Sequence, residues 1–385
     1  MPDHADSSVA RTSVTAPSRP DHHTASRHGS ARLRLVAGVD GALREAGRTL
    51  EGGESRRRRQ PCLPPPSRRA PAAGGRQGGR RAEEAAEQEG ARPAAPVVSV
   101  HGSIVPVEPI RIVTLGDVLL DVIVRLEQPF ARGDDVRAES TAGAGGQAAN
   151  VAAWSSELGA QARCIARRSN DAAGELVARE LAQRGVDLVG PVGTGATGIV
   201  VSLVEDGERS MASDRGVAAA LGPEDIDPSW LECDVLHVSG YALLREPIAQ
   251  AALLACRLAR ARGARVSVDV ASWTELRRYG AAGFRELLDE LEPDVLFATE
   301  AEWQLLGAAY LTAPTSVLKR GRRGCTVITP DRRLELAPIE TVVVDPTGAG
   351  DALAAGFMLG GAVEEAARRG LEAAARCIAR VGSLP

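Results

Sequence analysis

From Ile110 onward, short apolar runs rich in Val, Ile and Leu alternate with alanine-rich stretches at helical spacing, and this alternation limits the possible folds more than any other feature of the chain. A run of four or five apolar residues suits a strand covered on both faces. An amphipathic stretch between two such runs suits the crossover that parallel strands require. The pattern predicts strands over 112–115, 162–166, 235–238, 265–270, 295–298, 316–318 and 325–329. It predicts a Gly-rich turn entering a helix over 145–158, then helices over 171–184, 247–262, 283–291 and 300–306, with a last helix pair beginning near Asp351. Val342-Val343-Val344 reads as one more buried strand. Two stretches, 120–139 and 198–212, break the rhythm: their Val and Ile alternate with polar residues, as in antiparallel strands with one wet face. They are expected to form a small lid beside the main sheet.

Residues 1–108 have a different texture. Ser, Pro, Gly and Arg dominate, with Arg56-Arg57-Arg58-Arg59 and Pro64-Pro65-Pro66 close together, and such a stretch buries too little apolar surface to offset the entropy of ordering. It is expected to be a disordered extension. A start assigned too far upstream would give the same picture, because Met1 is the only methionine before Met211. The folded domain is expected over 109–385. Aromatic residues make up only 3 % of a chain that is 44 % apolar, so the core must be filled by Ala, Val, Leu and Ile. A net charge of −4 gives no general attraction to nucleic acid. Six cysteines without C-x-x-C spacing indicate reduced thiols rather than zinc or disulfides. With no apolar run of membrane-spanning length and no signal-peptide core, a soluble cytoplasmic protein is expected.

The chemistry-bearing segments are small-residue turns at helix starts. In Asp345-Pro346-Thr347-Gly348-Ala349-Gly350-Asp351 a turn of Gly348, Ala349 and Gly350 runs into a strongly helical stretch, which puts Asp351 at the helix mouth. Free backbone N–H groups and the positive dipole end there favour an anion, and a carboxylate beside them can accept the proton of an attacking hydroxyl. The same residues would also suit a plain loop with an acidic cap. A second such turn, Gly145-Gly146-Gln147-Ala148-Ala149-Asn150, allows close approach of a ligand, with Asn150 able to bond hydroxyls. Lys319-Arg320-Gly321-Arg322-Arg323-Gly324 follows a strand where a nucleotide phosphate could lie, and Lys319 is the only lysine in the chain. Gln147, Glu208 and Arg215 are further lid or pocket candidates, although exposed charges are more often merely solvated. His237 reads as a packed residue.

On these residues the chain from about Ile110 to Pro385 resembles the ribokinase-like (phosphofructokinase-B type) carbohydrate kinases. The resemblance implies a three-layer α/β sandwich with a mainly parallel central sheet and a small β-strand lid. It places the acceptor against Asp121, Gly145, Gly146 and Asn150, and makes Asp351 the general base, with the N–H groups of Ala349, Gly350 and Asp351 as the anion hole. Lys319, Gly321 and Gly324 match the nucleotide loop, and the family's Asn-x-x-Glu motif falls on Thr299 and Glu302, which implies help in holding hydrated magnesium. ATP and magnesium are implied as cofactors. Potassium is implied beside the anion hole, through Asp345, Thr347 and the loop after the last helix, which is short here. Four residues depart from the family pattern: Gln147 stands for a lysine, Ala148 for a glycine, Pro346 for a threonine and Thr299 for the asparagine.

The expected function is therefore ATP-dependent phosphorylation of a sugar hydroxyl, with a homodimer through the lid. Two rival readings are a nucleoside kinase of the pseudouridine or adenosine type and a non-catalytic sugar-binding regulator. Retention of Asp351 and Glu302 weighs against the regulator, since a binder needs neither.

Overall fold

The computed structural model describes residues 97–100, 103–106, 108–205, 208–307 and 313–385. Strands β1 (Val97–Val100) and β2 (Ser103–Pro106) pair as an antiparallel hairpin, which departs from the irregular chain expected there; β-branched residues in both suit a ladder. Residues 1–96 of the expected extension lie outside the described residues.

The elements then follow as β3 (Arg111–Leu115), β4 (Leu119–Leu126), β5 (Ala138–Gly145), α1 (Gln147–Glu157), β6 (Gln161–Ile165), β7 (Arg168–Ser169), α2 (Ala172–Gln183), β8 (Val186–Val189), β9 (Val192–Gly193), β10 (Thr197–Glu205) and β11 (Glu208–Gly216). The second half holds β12 (Val235–Ser239), α3 (Gly240–Leu243), α4 (Ile248–Arg260), β13 (Arg265–Asp269), α5 (Trp273–Tyr279), α6 (Ala281–Leu291), β14 (Val295–Thr299) and α7 (Glu300–Leu305). It closes with β15 (Thr315–Lys319), β16 (Cys325–Ile328), β17 (Arg333–Leu336), α8 (Ala349–Met358) and α9 (Val363–Ile378).

Nine strands form the central sheet in the order β17-β16-β15-β14-β13-β12-β3-β6-β8, parallel from β15 to β8, with β16 and β17 added antiparallel. Each central strand feeds both faces of the sheet, which is why its sequence is continuously apolar. In β14, Leu296 and Ala298 pack with α4, α6 and α7, whereas Val295 and Phe297 pack with α8 and α9. Helices thus cover both faces, as expected.

The lid is a separate four-stranded sheet, β11-β10-β4-β5. Two of its pairings are antiparallel, as expected, and β10 runs parallel to β4 between them. The long excursion through α1 and α2 separates the two strands in sequence and lets them meet side by side in the same direction. Asp171 ties this excursion to the lid: its carboxylate caps α2 by accepting from Gly174 N at 2.8 Å, and also accepts from Thr197 N at 2.8 Å at the start of β10.

Val342-Val343-Val344 is not a strand. The three side chains are 78 %, 41 % and 45 % exposed, and Val344 N donates to Ile378 O at the end of α9. The end of α9 pins this run instead as an extended connection leading to Asp345, whose own N–H also donates to Ile378 O.

Candidate active site

Two helix mouths face each other across the site. Gly146 caps α1 with φ 97° and Gly348 caps α8 with φ 77°, and neither has a side-chain cap. Both angles lie where L side chains are strained. Gly146 is also pressed against backbone, since a Cβ there would lie 2.4 Å from Asp117 O. Gly145 lies against the Asp121 carboxylate: a Cβ on it would lie 2.2 Å from Asp121 Oδ2.

Asp351 sits in the first turn of α8, whose N–H groups lack intrahelical acceptors. Ala349 N makes a long 3.4 Å bond to Pro346 O, so of the three expected anion-hole donors it is the partly engaged one. Asn150 Nδ2 donates to Asp351 Oδ2 at 2.8 Å, and Asn150 Oδ1 accepts from Ser383 Oγ at 3.0 Å. Through Asn150, one hydroxyl in the C-terminal tail is thus linked to Asp351, and Ser383 also lines a cavity together with Asp121.

Loss of hydration in the cleft pushes Asp351 up to about 7, with the Asn150 bond opposing and the Asp269 charge adding to the rise. Burial likewise raises Asp121 to about 6, against the pull of the Arg209 charge and the Ser383 bond. A cavity of about 210 Å³ opens beside Asp121, bounded by Ile123 and Gly143 of the lid, Glu180 of α2, Arg184 just after it, and Ser383.

Asp345, expected to hold a cation, is engaged within the protein. Its Oδ1 accepts from Thr347 N at 3.0 Å and from Thr347 Oγ1 at 2.6 Å, and its Oδ2 accepts from Gly382 N at 3.0 Å. Burial alone would raise it, but these donors hold it below the usual carboxylate range. The tail residues Gly382 and Ser383 thus belong to the site; the short loop after α9 still reaches it.

Thr299 caps α7 in a reciprocal box: Thr299 Oγ1 accepts from Glu302 N at 3.3 Å, and Glu302 Oε2 accepts from Thr299 N at 2.7 Å. Glu302 is 3 % exposed. Among the described residues no group of three or more His, Cys, Asp or Glu side chains could hold a metal ion. The residues expected to form a nucleotide loop split: Gly321 (φ 56°) and Gly324 (φ 80°) shape a short 3₁₀ turn, while Lys319 Nζ donates to both carboxylate oxygens of Asp269, at 2.8 and 2.7 Å.

Asp269 and Ser383 were not found from the sequence. Asp269 ends a strand, a position where ligands of α/β sheets often bind, and that was the available signal; Ser383 gave none. Of the other candidates, Gln147 Oε1 accepts from Ser239 Oγ at 2.5 Å and Glu208 is exposed. Arg215 forms a buried ion pair with Asp117 and lies 4.9 Å over the Tyr241 ring. His237 is buried, with Nδ1 3.0 Å from Ser267 Oγ and its pKa pushed down to about 4 by desolvation, as suits a packed residue.

Residues 110–384 match the pfkB family carbohydrate kinase model. The chain belongs to that family. It is 34 % identical over 282 residues to an ATP-dependent ribose-1-phosphate kinase of Halopiger xanaduensis, covering 70 % of this chain and 90 % of the relative. It is 30 % identical over 257 residues to an Escherichia coli fructokinase, covering 60 % and 83 %. Among solved structures, adenosine kinase from Sinorhizobium meliloti superposes with TM-score 0.66 at 25 % identity, covering 72 % of this chain and 96 % of that one. A putative ribokinase II from E. coli in complex with ATP and Mg²⁺ shares the fold, with TM-score 0.63 at 21 % identity, covering 71 % and 94 %. The pfkB kinase is thus an enzyme, a phosphotransferase with an alcohol group as acceptor. Among the described residues no helix is long and apolar enough to cross a membrane.

Proposed function

We propose that this pfkB kinase moves the γ-phosphoryl group of ATP to a hydroxyl of a sugar or sugar derivative, with Asp351 as general base. The observation that carries this reading is a carboxylate at a helix mouth whose pKa of about 7 suits proton acceptance at neutral pH. The acceptor lies against Asp121, Gly145, Gly146 and Asn150. Asn150 holds Asp351 towards it. As the acceptor oxygen bonds to the γ-phosphorus, its proton passes to Asp351 and the bond from phosphorus to the β-phosphate oxygen breaks, releasing ADP. The free N–H groups of Gly350 and Asp351 meet the charge on the transferring group. The turn from Gly321 to Gly324 borders the nucleotide.

Magnesium would be carried on the nucleotide and would keep most of its water shell, with Glu302 ordering those waters and the ion neutralising the phosphates. A potassium ion at Asp345 and Thr347 would compete with the donors already bonded to Asp345, so it is proposed as an aid rather than a requirement.

The 34 % identical relative makes ribose 1-phosphate the first acceptor to try. Adenosine follows, on the 25 % identical structure. We also propose a homodimer through the lid. Val122 and Val124 stand beside Ile199, Val201 and Leu203 on the sheet face opposite Asp121, an apolar surface suited to a second copy. A coupled assay of ADP release across pentoses, pentose phosphates, hexoses and nucleosides tests the function, with turnover of none of them as the adverse result. Light scattering tests the dimer, and a monomer at micromolar concentration would remove it.

A further inference from the structure

The chain carries 46 basic residues and only one is a lysine. That lysine closes β15 with its side chain 14 % exposed, against Asp269, which is fully buried at the end of β13. A buried ion pair is weak evidence of a stabilising role, since apolar replacements of similar volume are often neutral or better. Fold stability therefore does not account for it.

Position gives a better account. A Cβ added to Gly350 would lie 3.4 Å from Lys319 Nζ, so the ammonium lies against the first turn of α8, and the missing side chain at Gly350 makes the room. An ammonium has three donors. Two are taken by the Asp269 oxygens at 2.8 and 2.7 Å. The third is left beside the helix mouth where the N–H groups of Gly350 and Asp351 converge.

Resting on the phosphotransfer reading above, we propose that Lys319 is the cation that contacts the transferring phosphoryl group, and that Asp269 is the positioning residue that holds it there. An arginine would not serve: its planar fork would be spent bidentately on Asp269, and its bulk would press on Gly350. That explains a lysine here in a chain that uses arginine everywhere else. Charge supports the assignment. Burial would lower Lys319, but the carboxylates of Asp269, Glu302 and Asp351 around it hold it above the usual lysine range, so the ammonium stays charged. His237, facing the pair from β12, is neutral at physiological pH, with its pKa near 4.

The test compares wild type with Lys319→Met, Lys319→Arg and Asp269→Asn. Calorimetry measures binding of magnesium ADP with and without aluminium fluoride, a planar mimic of the moving phosphoryl group; melting curves check folding; initial rates use whichever acceptor wild type turns over. Lys319→Met should bind ADP within about threefold of wild type, yet lose about tenfold or more of the extra affinity for the fluoride complex and about a hundredfold in kcat, the scale for an oxyanion-site donor. Asp269→Asn, which keeps the cation and loosens it, should lose about tenfold in kcat. The acid limbs of the rate profiles should move in opposite directions. Asp351 also senses Asp121, and its own charge is felt by Tyr241 and Cys377, but those are constant across the series. Losing Lys319 moves the limb to higher pH, and losing the Asp269 charge moves it lower.

Unchanged fluoride preference in folded Lys319→Met would overturn the role of Lys319. Should that variant not fold, Lys319→Arg decides: folded protein without the preference supports the proposal, and retention overturns it. Wild-type kinetics in Asp269→Asn would overturn the positioning role. A wild type with neither fluoride preference nor transfer to any acceptor would instead sink the phosphotransfer reading, and the role of Lys319 with it.

Discussion

The mouths of α1 and α8 are built alike and do different work. Each begins at a glycine with positive φ and no side-chain cap, so each presents unpaired backbone N–H groups to the same space. At α1 the first turn ends in an amide, Asn150, which sorts hydrogen bonds between Ser383 and Asp351. At α8 it holds a carboxylate, Asp351, whose lost hydration makes it a base near neutrality. The same backbone device serves binding or chemistry according to the side chain that the first turn carries. The local turn supplies the field, and the residue at the mouth decides its use.

The sharpest way to break the comparison is to give α8 the side chain of α1. Asp351→Asn should lower kcat by about a hundredfold or more, the scale for a lost general base, with acceptor affinity kept within a few-fold. Its melting point should not fall below that of wild type at pH 8, because a carboxylate that is costly to ionise has been removed. Near-normal turnover would take Asp351 out of the mechanism. Asn150→Ala should cost about thirtyfold in kcat/KM, equivalent to ~2 kcal/mol for a hydrogen bond to a charged group. It should also move the acid limb to higher pH, because the lost bond was favouring the ionised base. In wild type the sign follows from the raised acid: Asp351 must be deprotonated, so kcat should rise with pH and level off above about 7. A rate independent of pH between 5.5 and 8 would argue against this base.

Two smaller effects sharpen the contrast. Potassium titrated against tetramethylammonium should activate by about tenfold or less, about 1.4 kcal/mol on the barrier, since Thr347 and Gly382 already satisfy Asp345. Activity abolished without potassium would show that the donors give way to a cation. Smallest of all, deleting residues 1–105 should leave activity and thermal midpoint unchanged, because the family match begins at residue 110. Loss of soluble protein would show that the extension is structural.

Much of this was legible along the chain wherever a feature was local. The βα rhythm gave the sheet, because a strand buried on both faces must be apolar throughout. The glycine turns gave both helix mouths, because close approach and positive φ leave a mark at single positions. What escaped was set by distance. Ser383 bonds Asn150 across more than two hundred residues of chain, and nothing around it marks it. Val342-Val343-Val344 has the composition of a strand but bonds to the end of α9, and the choice of partner is not written in the run itself. Lys319 was singled out by its rarity, but its turn towards α8 rather than the loop depends on Asp269, fifty positions earlier.

That single amine also makes the molecule its own reporter. Reagents that acylate amines will find, beyond the α-amino group, only Lys319, enclosed against Asp269 and Gly350. The rate at which mass is gained there at Lys319 therefore clocks how often the cleft opens, and a bound nucleotide should slow that clock without any engineered label.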